Sequence, residues 1–162
     1  MSIKKLITGL TLSLLLASGV ASAADFNKGM EAAQSGDFKT ALAEWTPLAE
    51  QGNASAQFNL GLMYSNGWGV PENDKTAVKW YTLAAEQGYA RAQFNLGTMY
   101  ANGRGVPENH KTAVKWYTLA SYNGSEVARE NKDAVAKQMT PADISAAQDM
   151  SSRCLENNYR DC

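Results

Sequence analysis

The side chains that could perform chemistry in this sequence are few and widely spaced. His110 is the only histidine, and a Ser-x-x-Lys pair, as used by acylating serine enzymes, occurs only at Ser2 and Lys5. Glu72 and Glu108 each follow a proline, 36 residues apart. Acid–base catalysis needs two carboxylates that converge in unlike environments, whereas these two are expected at two separate helix starts, where negative charge is favourable. The spacing therefore predicts a protein without catalysis, cofactor or metal.

The first 23 residues have the pattern of an export signal. Lys4 and Lys5 supply the positive end, Leu6 to Val20 form an uncharged run, and Ala21-Ser22-Ala23 is typical of a cleavage site. The apolar run is too short for a spanning helix, which needs about 20 residues. We expect export, to the periplasm of a Gram-negative bacterium or alternatively by secretion, without membrane insertion after the signal is removed.

The charge of the chain argues against two classes of partner. Removal of residues 1–23 leaves 139 residues, which suits one domain, and moves the formal net charge from −1 to −3. Such a balance favours neither nucleic acid nor an anionic membrane as the target.

Both cysteines, Cys154 and Cys162, lie within the last nine residues and predict a disulfide. An even number of cysteines in an exported chain favours pairing. Closing so short a loop stabilises the folded state by about 2–3 kcal/mol in the chain-entropy model. Metal binding by two free thiols is the alternative, but no further His or Cys lies nearby to complete a four-ligand site.

The elements that position these residues repeat along the chain. Residues 56–91 recur as residues 92–127, with 25 of the first 29 positions identical. A period of 20–50 residues is typical of a solenoid, in which each unit leaves an apolar face that only its neighbour can cover. Such architectures usually present a binding surface rather than a catalytic pocket.

Each copy is predicted to form two helices joined by a loop. Gly67 can take the left-handed conformation that ends the first helix, and Asn73 is a good N-cap for the second, as Asn109 is in the next copy. Gly61 and Gly97 fall in the middle of helices, where glycine costs about 1 kcal/mol relative to alanine. We expect a close helix crossing there, completed by the alanines at positions 77 and 113 of the partner helix.

Three units and a cap account for the chain. We assign residues 24–53 to a shorter first repeat, 54–89 and 90–125 to the two similar repeats, and 126–162 to C-terminal capping helices and a tail. Thr140 and Pro141 predict the start of the last helix. The predicted fold is all-α, an α-solenoid of antiparallel helix pairs.

The repeat pattern A-Q-F-N-L-G-x-M-Y-x-N-G-x-G-V-P-E-N-x-K-T-A-V-K-W-Y-x-L-A resembles the Sel1-like repeat family, relatives of the tetratricopeptide repeats. The resemblance implies a right-handed superhelix whose first helices line a concave groove, and a role as scaffold or adaptor. Cysteine-rich relatives with a disulfide in every repeat have been described as β-lactamases. Both cysteines here lie outside the repeats, so that activity is not carried over.

A protein- or peptide-binding groove is therefore predicted on the first helices. If Leu60, Gly61 and Tyr64 pack inward, another set of side chains opens onto the groove and two loop residues form its rim. Phe58 and Phe94 could instead be core between repeats. The predicted groove comprises Ser55, Phe58, Asn59, Leu62, Arg91, Phe94, Asn95 and Thr98, and the predicted rim comprises Trp68 and Arg104.

Differences between the two copies point the same way. Of the four in the first 29 positions, Leu62/Thr98 and Ser65/Ala101 fall on the predicted groove, while Trp68/Arg104 and Asp74/His110 fall in the loop and at the cap. We predict a non-enzymatic exported scaffold. The alternatives are an envelope hydrolase directed at β-lactams or peptidoglycan, and a structural subunit of an envelope assembly.

Overall fold

The computed structural model describes residues 24–160 and 162. The predicted export signal lies outside these residues. The described chain forms eight α-helices, and none has the length and apolar character needed to cross a membrane. The helices are α1 (Phe26–Gln34), α2 (Phe38–Glu50), α3 (Ala54–Asn66), α4 (Asp74–Ala85), α5 (Ala90–Asn102), α6 (His110–Tyr122), α7 (Glu126–Ala136) and α8 (Pro141–Glu156).

The helices stack as successive pairs. α1 packs on α2, α3 on α4 and α5 on α6, and each second helix also packs on the first helix of the following unit. The last helix, α8, packs chiefly on α6. The predicted all-α solenoid of helix pairs is confirmed, and its core is shared between units rather than enclosed in one of them.

Helix starts and ends follow from local residue chemistry. The side chains of Asn73 and Asn109 each accept a hydrogen bond from the backbone N–H three residues later, at 3.0 Å, so both predicted N-caps are confirmed. Thr140 caps α8 in the same way at 3.1 Å. Gly67 and Gly103 end α3 and α5 with φ of 68° and 66°, the left-handed conformation that glycine adopts without strain.

The helical glycines make room for aromatic rings. A Cβ atom on Gly61 would lie 2.4 Å from the Tyr81 ring, and one on Gly97 would lie 2.8 Å from the Tyr117 ring. The predicted steric reason is confirmed, and the atoms nearest to an added Cβ belong to a tyrosine ring rather than to an alanine. In the repeat of residues 54–89 this ring is Tyr81 on the second helix, four residues after the fully buried Ala77.

The shorter first unit keeps this contact with a larger ring. A Cβ atom on Gly29 would lie 2.4 Å from Trp45, whose indole Nε1 donates a hydrogen bond to the carbonyl of Phe26 at 3.2 Å. One glycine–aromatic contact in each of the three units therefore sets how closely its two helices approach.

Candidate functional site

Three adjoining depressions lie along the first helices and share Leu62, which lines all of them. We call this surface the first-helix face. The α1–α3 depression, of about 300 Å³, includes Met30, Phe38, Asn59, Leu62, Trp68 and Arg91. The α3–α5 depression, of about 200 Å³, includes Leu62, Ser65, Tyr81, Asn95, Thr98 and Arg104. The α5–α7 depression, of about 330 Å³, is lined by Phe58, Leu62, Arg91, Phe94, Asn95, Ser125 and Val127.

Most residues predicted for the groove and rim border these depressions. Ser55 does not line any of the three. The structure therefore brings together the residues Phe58, Asn59, Leu62, Trp68, Arg91, Phe94, Asn95, Thr98 and Arg104.

Of the two interpretations left open for Phe58, the structure favours core, although Phe58 still borders the α5–α7 depression. Its side chain is 3% exposed, and its ring centroid lies 6.0 Å from that of Tyr81 and 5.2 Å from that of Tyr89. Phe94, one repeat later, is only partly buried, with its ring 5.8 Å from Tyr117. The position that Tyr89 fills beside Phe58 is taken beside Phe94 by the smaller Ser125, which leaves Phe94 open to the α5–α7 depression.

The two rim residues serve mainly as contacts between units. The Trp68 ring stacks on Phe38 of the preceding unit, with centroids 5.6 Å apart and planes 13° apart. One repeat later, Arg104 donates hydrogen bonds to both carboxylate oxygens of Asp74, at 2.8 and 3.2 Å. Trp68 remains 44% exposed and still borders the α1–α3 depression. We call these two contacts the loop–helix pairs.

The remaining differences between the copies provide partners for a buried tyrosine. Tyr117 donates its hydroxyl hydrogen bond to Thr98 Oγ1 at 3.1 Å. Tyr81, one repeat earlier, has Leu62 at that position. Burial raises the pKa of Tyr81, and the neighbouring polar side chains of Asn95 and Ser65 oppose the rise only in part. The differences between the copies that the sequence analysis placed on the groove therefore also affect contacts inside the solenoid, as the Thr98–Tyr117 hydrogen bond shows.

The Sel1 repeat model matches residues 54–89 and 90–125. The chain is a Sel1-like repeat protein. Solved structures of this fold support the family assignment. Sel1 repeats generally mediate protein–protein interaction.

Solved structures similar to this Sel1-like repeat protein include the following two. One is a protective antigen of uropathogenic Escherichia coli strains displaying an SLR fold, 31% identical, with a TM-score of 0.78 over 82% of this chain and 29% of that chain. The other is a Sel1 repeat protein from Oxalobacter formigenes, 32% identical, with a TM-score of 0.68 over 85% of this chain and 56% of that chain. The chain thus spans less than two thirds of either. No curated protein sequence matches it.

A polar ladder, which sequence reasoning missed, joins the turn ends of the repeats. The buried Gln93 donates to the Ala85 carbonyl at 3.0 Å and accepts from Asn123 at 2.9 Å, and Asn123 in turn accepts from the Tyr159 hydroxyl at 2.9 Å. Gln57 makes the equivalent bond to the Ala49 carbonyl at 3.0 Å. The signal was available, since a glutamine recurs at the same point of both copies on the inward face.

The C-terminal tail covers the outer side of α6. Cys154 and Cys162 have Cα atoms 5.0 Å apart, within the range for a disulfide. Beneath them Lys115 is buried, with its Nζ 4.0 Å from the centroid of the Trp116 ring and donating to the main-chain oxygen of Cys162. Desolvation lowers the pKa of Lys115 to about 8.

His110, the one histidine, lies apart from the first-helix face. Its Nε2 atom lies 3.2 Å from Glu108 Oε1, beside the start of α8. The described residues contain no group of three or more His, Cys, Asp or Glu side chains placed to hold a metal ion.

Proposed function

We propose that the chain is an exported, non-enzymatic scaffold that binds a protein or peptide partner through its first-helix face. The observation that carries the proposal is the continuity of the three depressions, which share Leu62 and extend from α1 to α7. A contiguous, largely apolar concavity on a monomer is typical of an interaction site. The predicted signal, the cysteine pair and the similarity to an antigen of Escherichia coli support export, with the periplasm as the compartment.

Two amides extend the proposal to the ligand backbone. Asn59 and Asn95 occupy equivalent positions one repeat apart and line adjoining depressions. A side-chain amide both donates and accepts hydrogen bonds, so it can pair with a peptide group of an extended segment. The function therefore requires no cofactor and no reactive group.

The experiment is crosslinking in the native compartment, followed by mass spectrometry. Wild type is compared with a variant whose first-helix face is blocked by charge. Val127 is 56% exposed at one end of the first-helix face, so Leu62→Asp combined with Val127→Asp places charge in the apolar lining. Leu83→Asp, at a 44% exposed position on the second helix α4, is the matched control.

We expect the double variant to lose its crosslinked partner while the Leu83 variant keeps it, with helicity unchanged in both. Loss of the partner in the Leu83 variant alone would place binding on the other face and contradict the proposal. Turnover of a β-lactam or muropeptide, abolished by one substitution, would favour the hydrolase alternative.

A further inference from the structure

Arg91 is the single charged residue among those lining the α1–α3 and α5–α7 depressions. It is exposed at the start of α5, and the ion pairs among residues 24–160 and 162 join other residues. The equivalent residue in the preceding copy is Ser55, so this positive charge does not repeat. An apolar surface with one cation that has no acidic partner on the described surface attracts an anionic group.

The guanidinium of Arg91 stacks on an aromatic ring of the preceding unit. It lies 4.7 Å from the centroid of the Phe58 ring. That ring is itself fixed, because it is buried between Tyr81 and Tyr89. Stacking on an aromatic face leaves the in-plane N–H donors of arginine free for a carboxylate.

The two depressions lie on opposite sides of Arg91 along the stack of helices. One is formed mainly by α1 and α3, with Met30, Phe38 and Trp68, and the other extends to α7 through Val127. A chain that fills both must continue on either side of the group that Arg91 binds. A terminal carboxylate ends the chain and can fill only one of them.

We infer that the preferred ligand is an extended peptide segment with an internal Asp or Glu, flanked on both sides by large apolar side chains. The carboxylate pairs with Arg91, and the two apolar side chains occupy the two depressions. This inference rests on the proposed function, because it names the chemistry of the partner at the same surface.

The test is selection from a library of random 12-residue peptides, displayed between constant Gly-Ser flanks so that no peptide carries a free terminus. Arg91→Ser gives the third repeat the residue of the second, and Arg91→Glu reverses the charge. Lys79→Ser, at an exposed site on α4 outside the three depressions, is the control for loss of one positive charge.

Wild type and the Lys79 variant are expected to enrich an acidic residue between apolar residues. The Arg91→Ser variant should retain the apolar preference and lose the acidic one, and Arg91→Glu should select Lys or Arg at that place. Acidic enrichment that persists in Arg91→Ser would overturn the inference. Peptides selected on wild type that show no acidic preference would also overturn the inference. If those peptides fail to bind the Leu62→Asp/Val127→Asp protein, the proposed function still stands. If no peptide binds wild type better than that blocked protein, the proposed function fails as well.

A synthetic peptide from the selection then measures the pair directly. Replacing its Asp by Asn should weaken binding about tenfold for wild type and less than about twofold for Arg91→Ser, since a charged hydrogen-bonded pair is worth roughly that factor. Amidation of the peptide terminus should leave affinity unchanged. A loss of binding on amidation would show a terminal carboxylate and overturn the internal assignment.

Discussion

Arg104 binds Asp74 through two hydrogen bonds at the place where, one repeat earlier, Trp68 stacks on Phe38. The loop of each repeat therefore contacts the start of the second helix in the unit before it. Two of the differences between the copies, Trp68/Arg104 and Asp74/His110, fall at these contacts. Arg104 forms an ion pair with Asp74 at one junction, and Trp68 forms an aromatic pair with Phe38 at the other.

The ion pair can be exchanged for the aromatic pair. Asp74→Phe or Arg104→Trp alone leaves one partner unmatched, and we expect each to lower the free energy of unfolding by about 0.5–1 kcal/mol, the usual value of a partly exposed pair. The double variant should recover most of that loss. Urea denaturation at low and at 1 M salt measures this, and the double variant should depend less on salt than wild type. Additive losses in the double variant would show that the two positions are not coupled.

The glycine–tyrosine contact predicts that a better helix former destabilises the protein. Gly61→Ala gains about 1 kcal/mol of helix propensity but places a methyl group where the Tyr81 ring lies 2.4 Å away. Overpacking of this kind costs about 1–3 kcal/mol. We expect a lower melting temperature for Gly61→Ala, and a smaller decrease for Gly97→Ala, whose ring is 2.8 Å away. A higher melting temperature in both would mean that the rings move aside without cost.

The polar ladder predicts an effect of one buried amide. Gln93→Leu leaves the Ala85 carbonyl and the Asn123 amide without their partner, which costs about 1–3 kcal/mol for a buried group. Tyr159→Phe removes only the last hydrogen bond of the ladder and should cost about 0.5–1.5 kcal/mol. Chemical denaturation of both variants and their combination measures the coupling. A Gln93→Leu protein as stable as wild type would contradict a structural role for the ladder.

Lys115 predicts a rise of stability in mild alkali. Its pKa is about 8 in the folded protein against an ordinary value of 10.5, because burial disfavours the charged form. Between these two pH values the unfolded chain binds more protons than the folded one, so the free energy of unfolding increases with pH, by about 1 kcal/mol after allowance for solvent screening.

Lys115→Met should abolish that rise, whereas Lys79→Met, at the exposed counterpart in α4, should keep it. Unfolding measured from pH 7 to 10 makes the comparison. The raised pKa of Tyr81 acts in the opposite direction above pH 10, and it is common to all three proteins. An unchanged slope in Lys115→Met would show that other groups are responsible.

The cysteine pair predicts two observations. Thiol counting under denaturing, non-reducing conditions should find no free thiol, and Cys154→Ser with Cys162→Ser should lower the free energy of unfolding by about 2–3 kcal/mol, as expected for a short closed loop. Two titratable thiols in the protein purified without reductant would rule out the bridge. Single-serine variants are unsuitable controls, because each leaves a reactive thiol.

Residue chemistry within a repeat was predictable, because it depends on near neighbours. Asn73 caps a helix and Gly67 ends one for reasons contained in a few residues. The helix pairs and the first-helix face followed from the same pattern. Burial was less predictable where it depends on the next unit. Phe58 is core and Phe94 is half-open because Tyr89 and Ser125 differ.

Identical segments make the limit plain. Thr76–Tyr81 and Thr112–Tyr117 have the same six residues, yet Lys79 is exposed and Lys115 is buried. The difference arises because α8 and the tail lie over α6, a contact between residues far apart in the chain. No periodicity in the sequence reports which copy will be covered.

The loop–helix pairs also constrain how a gene of this kind can lengthen. A tandem duplication of residues 56–91 would bring the Trp68 of the new copy against the Asp74 of the old one, where neither stacking nor an ion pair is available. A duplication with these end points therefore creates a mismatched junction, which a substitution at either of these two positions would repair.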